Sequence, residues 1–280
     1  MDSLVSTDWL ADALGAKDLV VVDASRHLPM AERDGHAEYL AGHIPGARFL
    51  DLAKLVDQTS DVPSALPRPE QLAEALAALG ATPEHRIVFY DDSAVKTTAR
   101  AWYLCRAHGM ENVAILDGGL AKWKAEERPL ESGEPEIEPA APFDLAAPSA
   151  IRFKQDMLDN IEAGSEQVLD ARDPGRFTGR SDDPIHNLPT GHIPGSCNLP
   201  FARLYKDDGT FKSPAELREI IESTGIDPAR PVVTTCGSGV TACILLFALH
   251  LIGAEQTALY DGSWLDWAGD PGTPKATVSL

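Results

Sequence analysis

A cysteine followed by a glycine-punctuated turn is the part of this chain best equipped for chemistry. It lies in Thr235-Cys236-Gly237-Ser238-Gly239-Val240-Thr241-Ala242. The β-branched run Pro231-Val232-Val233-Thr234-Thr235 reads as a short strand, and the Leu- and Ala-rich stretch 241–250 reads as a helix. The turn between them therefore opens onto a helix, where backbone N–H groups converge and the helix dipole adds partial positive charge. A thiol placed there ionises more easily, and the thiolate is the nucleophile of covalent catalysis. The amides from Gly237 through Ser238, Gly239, Val240 and Thr241 are the expected cradle for a sulfur anion. The same pattern also fits a buried structural cysteine after a core strand.

The elements that must position this turn occur twice. Leu19-Val20-Val21-Val22-Asp23-Ala24 answers to Gln167-Val168-Leu169-Asp170-Ala171, Gly42-His43-Ile44-Pro45-Gly46 to Gly191-His192-Ile193-Pro194-Gly195, and Leu116-Asp117-Gly118-Gly119 to Tyr260-Asp261-Gly262-Ser263. The order is the same in both halves, which is the mark of a tandem duplication. On this repeat Asp91 stands where the second half has Cys236, so the first half lacks the nucleophile. Strands are expected at 20–23, 86–90 and 113–116 in the first half, and at 167–170, 232–235 and 257–260 in the second. Helices are expected at 71–79, 97–108 and 120–126. Ser213-Pro214-Ala215-Glu216 opens another helix, running to about 223, with an N-cap, a proline at its first position and a capping-box glutamate. Strands alternating with helices imply a parallel sheet in each half. From 131 to 149 the pattern gives way to prolines among Glu, Ala and Gly, which reads as an extended linker between domains at 1–130 and 150–280.

Two diverged halves, Asp against Cys at the loop start, a GHIPG turn in each, and a CGSGVTA loop in the second together resemble the tandem-domain rhodanese family. The loop resembles the family's 3-mercaptopyruvate sulfurtransferase branch, and the resemblance runs from about residue 4 to about 269. It implies an α/β fold of two tandem rhodanese-like domains, each a parallel sheet flanked by helices, with an inactive first domain and a catalytic second one. It further implies double displacement: Cys236 takes sulfur from 3-mercaptopyruvate, pyruvate leaves, and the resulting persulfide passes its outer sulfur to a thiol such as thioredoxin or glutathione, or to cyanide. No metal or organic cofactor is expected. Arg176, in Gly175-Arg176-Phe177, matches the family arginine that grips the substrate carboxylate; a surface arginine paired to Asp173 or Asp182 is the plainer alternative. Ser238 matches the loop serine of the family's proton relay, and Asp57 the aspartate that precedes its relay histidine.

The chain departs from this pattern in two places. The branch's second substrate arginine falls at Ile185, with His186 beside it and Arg180 upstream as the remaining candidates for substrate contacts. The relay histidine falls at Ser64, so a histidine relay cannot be carried over from the family, which leaves Ser238 with water or the substrate's own acidic thiol to handle protons. Thiosulfate-using relatives carry basic residues just after the cysteine, where this chain has Gly237 and Ser238. A thiosulfate sulfurtransferase and a non-catalytic persulfide carrier remain the alternatives. His43 and His192 recur in both halves and read as structural, as do the strand-end Asp23 and Asp170. Arg172, after Asp170, reads as a loop pin. Asp117 and Asp261, each before Gly, read as turn formers. Cys243 and the tryptophans Trp102, Trp123, Trp264 and Trp267 read as packing residues.

Composition narrows the partners. The 280 residues suffice for two domains, and a formal net charge of −19 argues against nucleic acid. The sequence has no long apolar run and no basic-apolar leader, so neither a membrane span nor secretion is expected. Four cysteines without metal-ligand spacing suggest reduced thiols in a cytoplasm.

Overall fold

Short runs that are apolar at every position form the inner strands of parallel sheets, because helices cover both faces. The computed structural model describes residues 1–62 and 64–278 and places such runs at the centre of two five-stranded sheets. In chain order the first set of elements is β1 (Leu4–Val5), α1 (Thr7–Ala13), β2 (Leu19–Asp23), α2 (Gly35–Ala41), β3 (Arg48–Phe49), α3 (Pro69–Ala78), β4 (Arg86–Tyr90), α4 (Thr98–Ala107), β5 (Val113–Leu116) and α5 (Gly119–Ala125). Its strand order is β1-β5-β4-β2-β3, and the paired strands run parallel.

The second set repeats the first. It comprises β6 (Ile151–Arg152), α6 (Lys154–Ala163), β7 (Gln167–Asp170), α7 (Pro174–Thr178), β8 (Cys197–Asn198), α8 (Pro214–Glu222), β9 (Val232–Thr235), α9 (Ala242–Leu251), β10 (Thr257–Tyr260) and α10 (Ser263–Gly269). The strand order β6-β10-β9-β7-β8 matches the first sheet strand for strand, again in parallel. The chain packs as two units. Met1–Asp57, Leu66–Ser149 and Lys206–Phe211 form one; Gln58–Ala65, Ala150–Tyr205 and the residues from Lys212 onward form the other. The stretch 131–149 carries no helix, and its one strand-like pairing is a bridge between Glu131 and His43. It is hydrogen-bonded along the first unit: Ala140 N–H donates to Ala77 O at 2.8 Å and Ser149 N–H to Ala107 O at 2.9 Å.

The six long strands fall within a residue of their expected bounds. The two-residue edge strands β1, β3, β6 and β8 carry no periodic signal and are visible only through their pairing. The helix expected from 71 begins two residues earlier, because Pro69 takes the first-turn position where its missing N–H costs nothing. At α8, Ser213 and Glu216 cap as expected: Ser213 Oγ accepts from Glu216 N–H, and Glu216 Oε2 accepts from Ser213 N–H at 2.9 Å. Helix α9 is apolar on all sides, and every residue from Ala242 to Leu249 is buried. The anticipated packing tryptophans are all buried, with Trp123 in the first core and Trp264 and Trp267 in the second. Among the described residues no helix is long and apolar enough to cross a membrane.

Asp23 closes β2 as Asp170 closes β7, each accepting the N–H two residues on, from Ser25 at 2.8 Å and from Arg172 at 2.9 Å. Burial pushes the Asp23 carboxyl up to about 6, against the bonds from Ser25 and Tyr90 that favour its charge. An unfolded aspartate titrates near 3.9, so the folded state holds this proton more tightly. That contribution to stability is fully present below about pH 4 and is lost as pH rises to about 6. Asp23→Asn is therefore expected to gain thermal stability relative to wild type as pH rises from 4 to 7; a difference in melting temperature that stays constant over that range would contradict the assignment.

Candidate active site

In the second sheet the chain leaves β7 toward the edge strand β8, whereas from β9 it turns the other way, to β10. The crevice at the carboxyl ends of β7 and β9 is thus a topological switch point, where open α/β sheets take their ligands. Cys236 follows β9 there, and Asp170-Ala171-Arg172 follows β7. The strand registers confirm the repeat: Asp170 pairs with Thr235 in one sheet and Asp23 with Tyr90 in the other. Cys236 and Asp91 are therefore equivalent positions. The Cys236 carbonyl accepts the Trp264 N–H at 3.0 Å, and the Asp91 carbonyl accepts the Leu120 N–H at 3.0 Å.

The Asp91 side chain shows what this turn holds. Its Oδ2 accepts from the N–H of Thr98, at the start of α4, at 2.7 Å and from the Thr98 hydroxyl, and its Oδ1 accepts from Ser93 N–H at 3.2 Å. Complete burial raises its pKa, opposed by these bonds. A carboxylate oxygen thus sits where the turn and the helix mouth aim their donors. In the second unit the same turn carries a thiol instead, 2% exposed. The N–H groups of Gly237, Ser238, Val240 and Thr241 donate to no protein acceptor among the described residues. Gly239 adopts φ +76°, the left-handed region that favours glycine, and its carbonyl accepts from the Cys243 thiol at 3.2 Å. Cys243 is fully buried, as its packing role requires.

Ser263 is a participant that the sequence reading passed over. It takes the place of Gly119 in the repeat, and both have positive φ, +50° and +58°. A Cβ on Gly119 would lie 2.5 Å from the Asp91 carbonyl oxygen. At Ser263 the side chain is present and useful: its Oγ accepts the Cys236 N–H at 3.2 Å and donates to Tyr260 O at 2.9 Å. A non-glycine residue in this conformation is strained, and such strain persists where the surrounding contacts demand it. The only signal in the sequence was Ser in place of the second Gly of Asp-Gly-Gly.

Beside the turn stands a charged cluster. Arg176, on α7, bonds to Asp173 through Nε, and its Nη1 lies 3.5 Å from Asp183 Oδ1. Asp173 is one of the two anticipated partners; the second carboxylate is the buried Asp183 and not Asp182. Asp183 also meets His186, whose Nδ1 lies 3.2 Å from Oδ2. Burial works against the Asp183 charge, but His186 and Arg176 outweigh it and hold the carboxyl below its usual range. The His186 ring lies over Gly237: a Cβ built there would be 2.4 Å from His186 Cε1, so only glycine fits beneath the ring.

Arg172 is the more deeply engaged arginine. Its side chain is 1% exposed, forks onto Asp170 with Nη2 at 2.6 Å and Nε at 3.0 Å, donates from Nη2 to Gly191 O at 2.8 Å, and stacks 4.2 Å from the Trp264 ring. The equivalents in the first unit are Ser25 and Leu120. There a cavity of about 310 Å³ opens, lined by Asp23, Ser25, Arg33, Asp92 and Leu120 among others. In the active-type copy an arginine–tryptophan stack occupies the positions that these smaller residues leave open in the other.

The remaining expected residues are placed as follows. Ser238 is half-buried in the loop. Arg180 is exposed, and its backbone N–H donates to Gly175 O at 2.9 Å. Asp57 belongs to the first unit, where its Oδ1 lies 2.7 Å from Arg68 Nη1; Ser64 belongs to the second. His43 and His192 are buried, each with Nδ1 2.8 Å from a backbone carbonyl, that of Tyr39 and that of Phe177 respectively. Asp117 does more than shape its turn, since its Oδ1 accepts from Phe211 N–H at 2.8 Å. Burial pushes the Cys105 thiol up to about 12 and raises that of Cys197, so neither competes as a thiolate. Among the described residues no group of three or more His, Cys, Asp or Glu is arranged to hold a metal ion.

Two parallel α/β domains in tandem, with a strand-to-helix turn at each switch point that carries a cysteine in one copy and an aspartate in the other, define a duplicated α/β protein with a single loop thiol. The chain belongs to the rhodanese family: the model of the rhodanese-like domain matches residues 6–126 and 153–270. It is 39% identical to a mouse 3-mercaptopyruvate sulfurtransferase over 95% of this chain and 91% of that one. It is 38% identical to the protein of the same name in Escherichia coli K12, over 98% of each. The crystal structure of SseA from Escherichia coli, described as a 3-mercaptopyruvate sulfotransferase, superposes with a TM-score of 0.85 at 36% identity, over 94% of this chain and 99% of that one.

The Ser263 geometry separates strain from hydrogen bonding. Ser263→Ala keeps the left-handed strain and loses the bond to Cys236, whereas Ser263→Gly loses the bond and relieves the strain. The alanine variant is expected to be less stable than the glycine variant by about 1 kcal/mol in urea unfolding; equal stabilities would show that the backbone at 263 is unstrained.

Proposed function

We propose that this protein moves sulfur from 3-mercaptopyruvate to a thiol or cyanide acceptor through a persulfide on Cys236, releasing pyruvate. The observation that carries this reading is the equivalence of Cys236 with Asp91, whose carboxylate already rests in the donors of the first-domain turn. A turn that holds a carboxylate in one copy is suited to hold a thiolate, and then a persulfide anion, in the other. The relatives that bear the name 3-mercaptopyruvate sulfurtransferase support the choice of donor.

Cys236 Sγ attacks the substrate sulfur, the C3–S bond breaks, and its electron pair passes to the pyruvate enolate. The loop amides at Gly237, Ser238, Gly239, Val240 and Thr241 stabilise the sulfur anion before and after transfer. Arg176 binds the substrate carboxylate, which competes with the half-exposed Asp173 for the guanidinium. Ser238, Arg180 and His186 complete the candidate site in the second unit. Catalysis is assigned to the domain at 150–280, and the domain at 1–130 is inactive because Asp91 fills its turn. No metal or organic cofactor has a part in this scheme. Four free cysteines suit a reducing cytoplasm with thioredoxin or glutathione as acceptor.

Steady-state assays with 3-mercaptopyruvate and with thiosulfate, side by side, test the reading. Cys236→Ser is expected to abolish transfer without altering the melting temperature, and Arg176→Ala to raise KM for 3-mercaptopyruvate about tenfold, the loss of one charge-assisted bond. Preference for thiosulfate would reassign the donor. Turnover retained in Cys236→Ser would remove the nucleophile.

A further inference from the structure

The transfer reaction leaves a proton to be moved. The substrate thiol brings one into the persulfide, and the departing enolate must gain one at C3 to become pyruvate. Cradle amides stabilise anions but carry no exchangeable proton at neutral pH, and the Cys236 thiolate is consumed in bond formation. A titratable group beside the loop is needed, and imidazole is the side chain whose ordinary pKa suits the task.

His186 stands in that place. Its ring lies against Gly237, the residue after the nucleophile, closely enough that a Cβ would collide with Cε1. Its Nδ1 faces Asp183 Oδ2 at 3.2 Å, and Asp183 is in turn 3.5 Å from Arg176 Nη1. A carboxylate at Nδ1 fixes the ring and keeps the Nδ1 proton, which makes Nε2 the working nitrogen. Nε2 has no hydrogen-bond partner among the described residues, and the His186 side chain is 12% exposed. The charged groups at the ring are Asp183 and, behind it, Arg176. Asp183 itself is fixed by the N–H groups of Ile185 and His186, both donating to Oδ1, at 3.1 and 3.2 Å. The cluster is built so that the ring cannot turn away.

We propose that His186, oriented by Asp183, is the proton carrier of the sulfur-donating half-reaction, a role that rests on the sulfurtransferase reading above. The Sγ–S bond forms as the C3–S bond breaks. Nε2 takes the proton of the nascent S–H group and delivers it to C3 of the enolate, leaving a persulfide anion on the cradle amides and neutral pyruvate carbon. No external oxidant or reductant enters, because the electron pair lost by the sulfurs is the pair gained by C3. Asp183 is a positioning residue in this scheme.

The two half-reactions separate this role from a structural one. With 3-mercaptopyruvate as donor, His186→Gln is expected to lower kcat about a hundredfold while KM stays within about threefold. Discharge to cyanide of a Cys236 persulfide preformed with inorganic polysulfide involves no carbon protonation and is expected to proceed at the wild-type rate. Asp183→Asn should lower the same kcat by a smaller factor. An unchanged kcat in His186→Gln, with wild type active on 3-mercaptopyruvate, overturns the proton role alone. Equal losses in both half-reactions assign His186 to loop packing and overturn it too. A wild-type enzyme silent with 3-mercaptopyruvate overturns the donor reading beneath it.

Discussion

A strand-to-helix turn whose backbone donors converge on one point must hold negative charge, and the rest of this molecule is arranged around that requirement. In the first domain the Asp91 side chain fills that point, accepting from Ser93 and Thr98. In the second the equivalent position is Cys236, whose sulfur forms the new bond in the proposed reaction. The duplication thus gives an internal comparison: equivalent strand ends, the same bond to the carbonyl of the first turn residue from α5 or α10, and a carboxyl in one copy where the other has a thiol.

The contacts that differ between the copies gather around that position. Ser25 and Leu120 become Arg172 and Trp264, and a cavity of about 310 Å³ in the first unit has its counterpart positions occupied by an ion-paired, stacked guanidinium in the second. A buried ion pair is weak evidence for stability, since burial costs each charge several kcal/mol. Its position suggests that rigidity is what is gained. Trp264 presents one face to Arg172 and its backbone N–H to the Cys236 carbonyl, so fixing the ring also fixes the backbone of Cys236. Ser263 adds a second hold on Cys236 from a strained backbone, and the Cys243 thiol pins the turn farther on through the Gly239 carbonyl.

Electrostatics follow a similar division between long range and short range. A formal net charge of −19 repels anionic substrates at a distance. In the proposed reaction the carboxylate-bearing donor depends on a local cation, and the candidate, Arg176, is pre-paired with Asp173 and Asp183. Those partners keep the guanidinium extended and lower the penalty of its partial burial. Arg176 and His186 hold the Asp183 carboxyl below its usual range, so in the proposed reaction one arginine serves both the binding and the proton arrangement.

The sequence by itself determined the duplication, the six inner strands, the capped helix at Ser213 and the loop cysteine, because each is written in local patterns: apolar runs, turn residues, a repeated order of motifs. It also determined that Asp91 answers to Cys236. Only the tertiary structure decided the edge strands, which are two residues long and exist through pairing, and the engagement of Ser263, Asp183 and Arg172. Arg176 illustrates the limit. Its partner was expected at Asp173 or Asp182; it pairs with Asp173 and with Asp183, because a turn of one residue decides which carboxylate points inward, and that choice depends on the His186 and Ile185 amides. His186 against Gly237 is likewise invisible in a linear reading: the two are 51 residues apart in the chain, and their contact is fixed by where β7 and β9 end in one sheet.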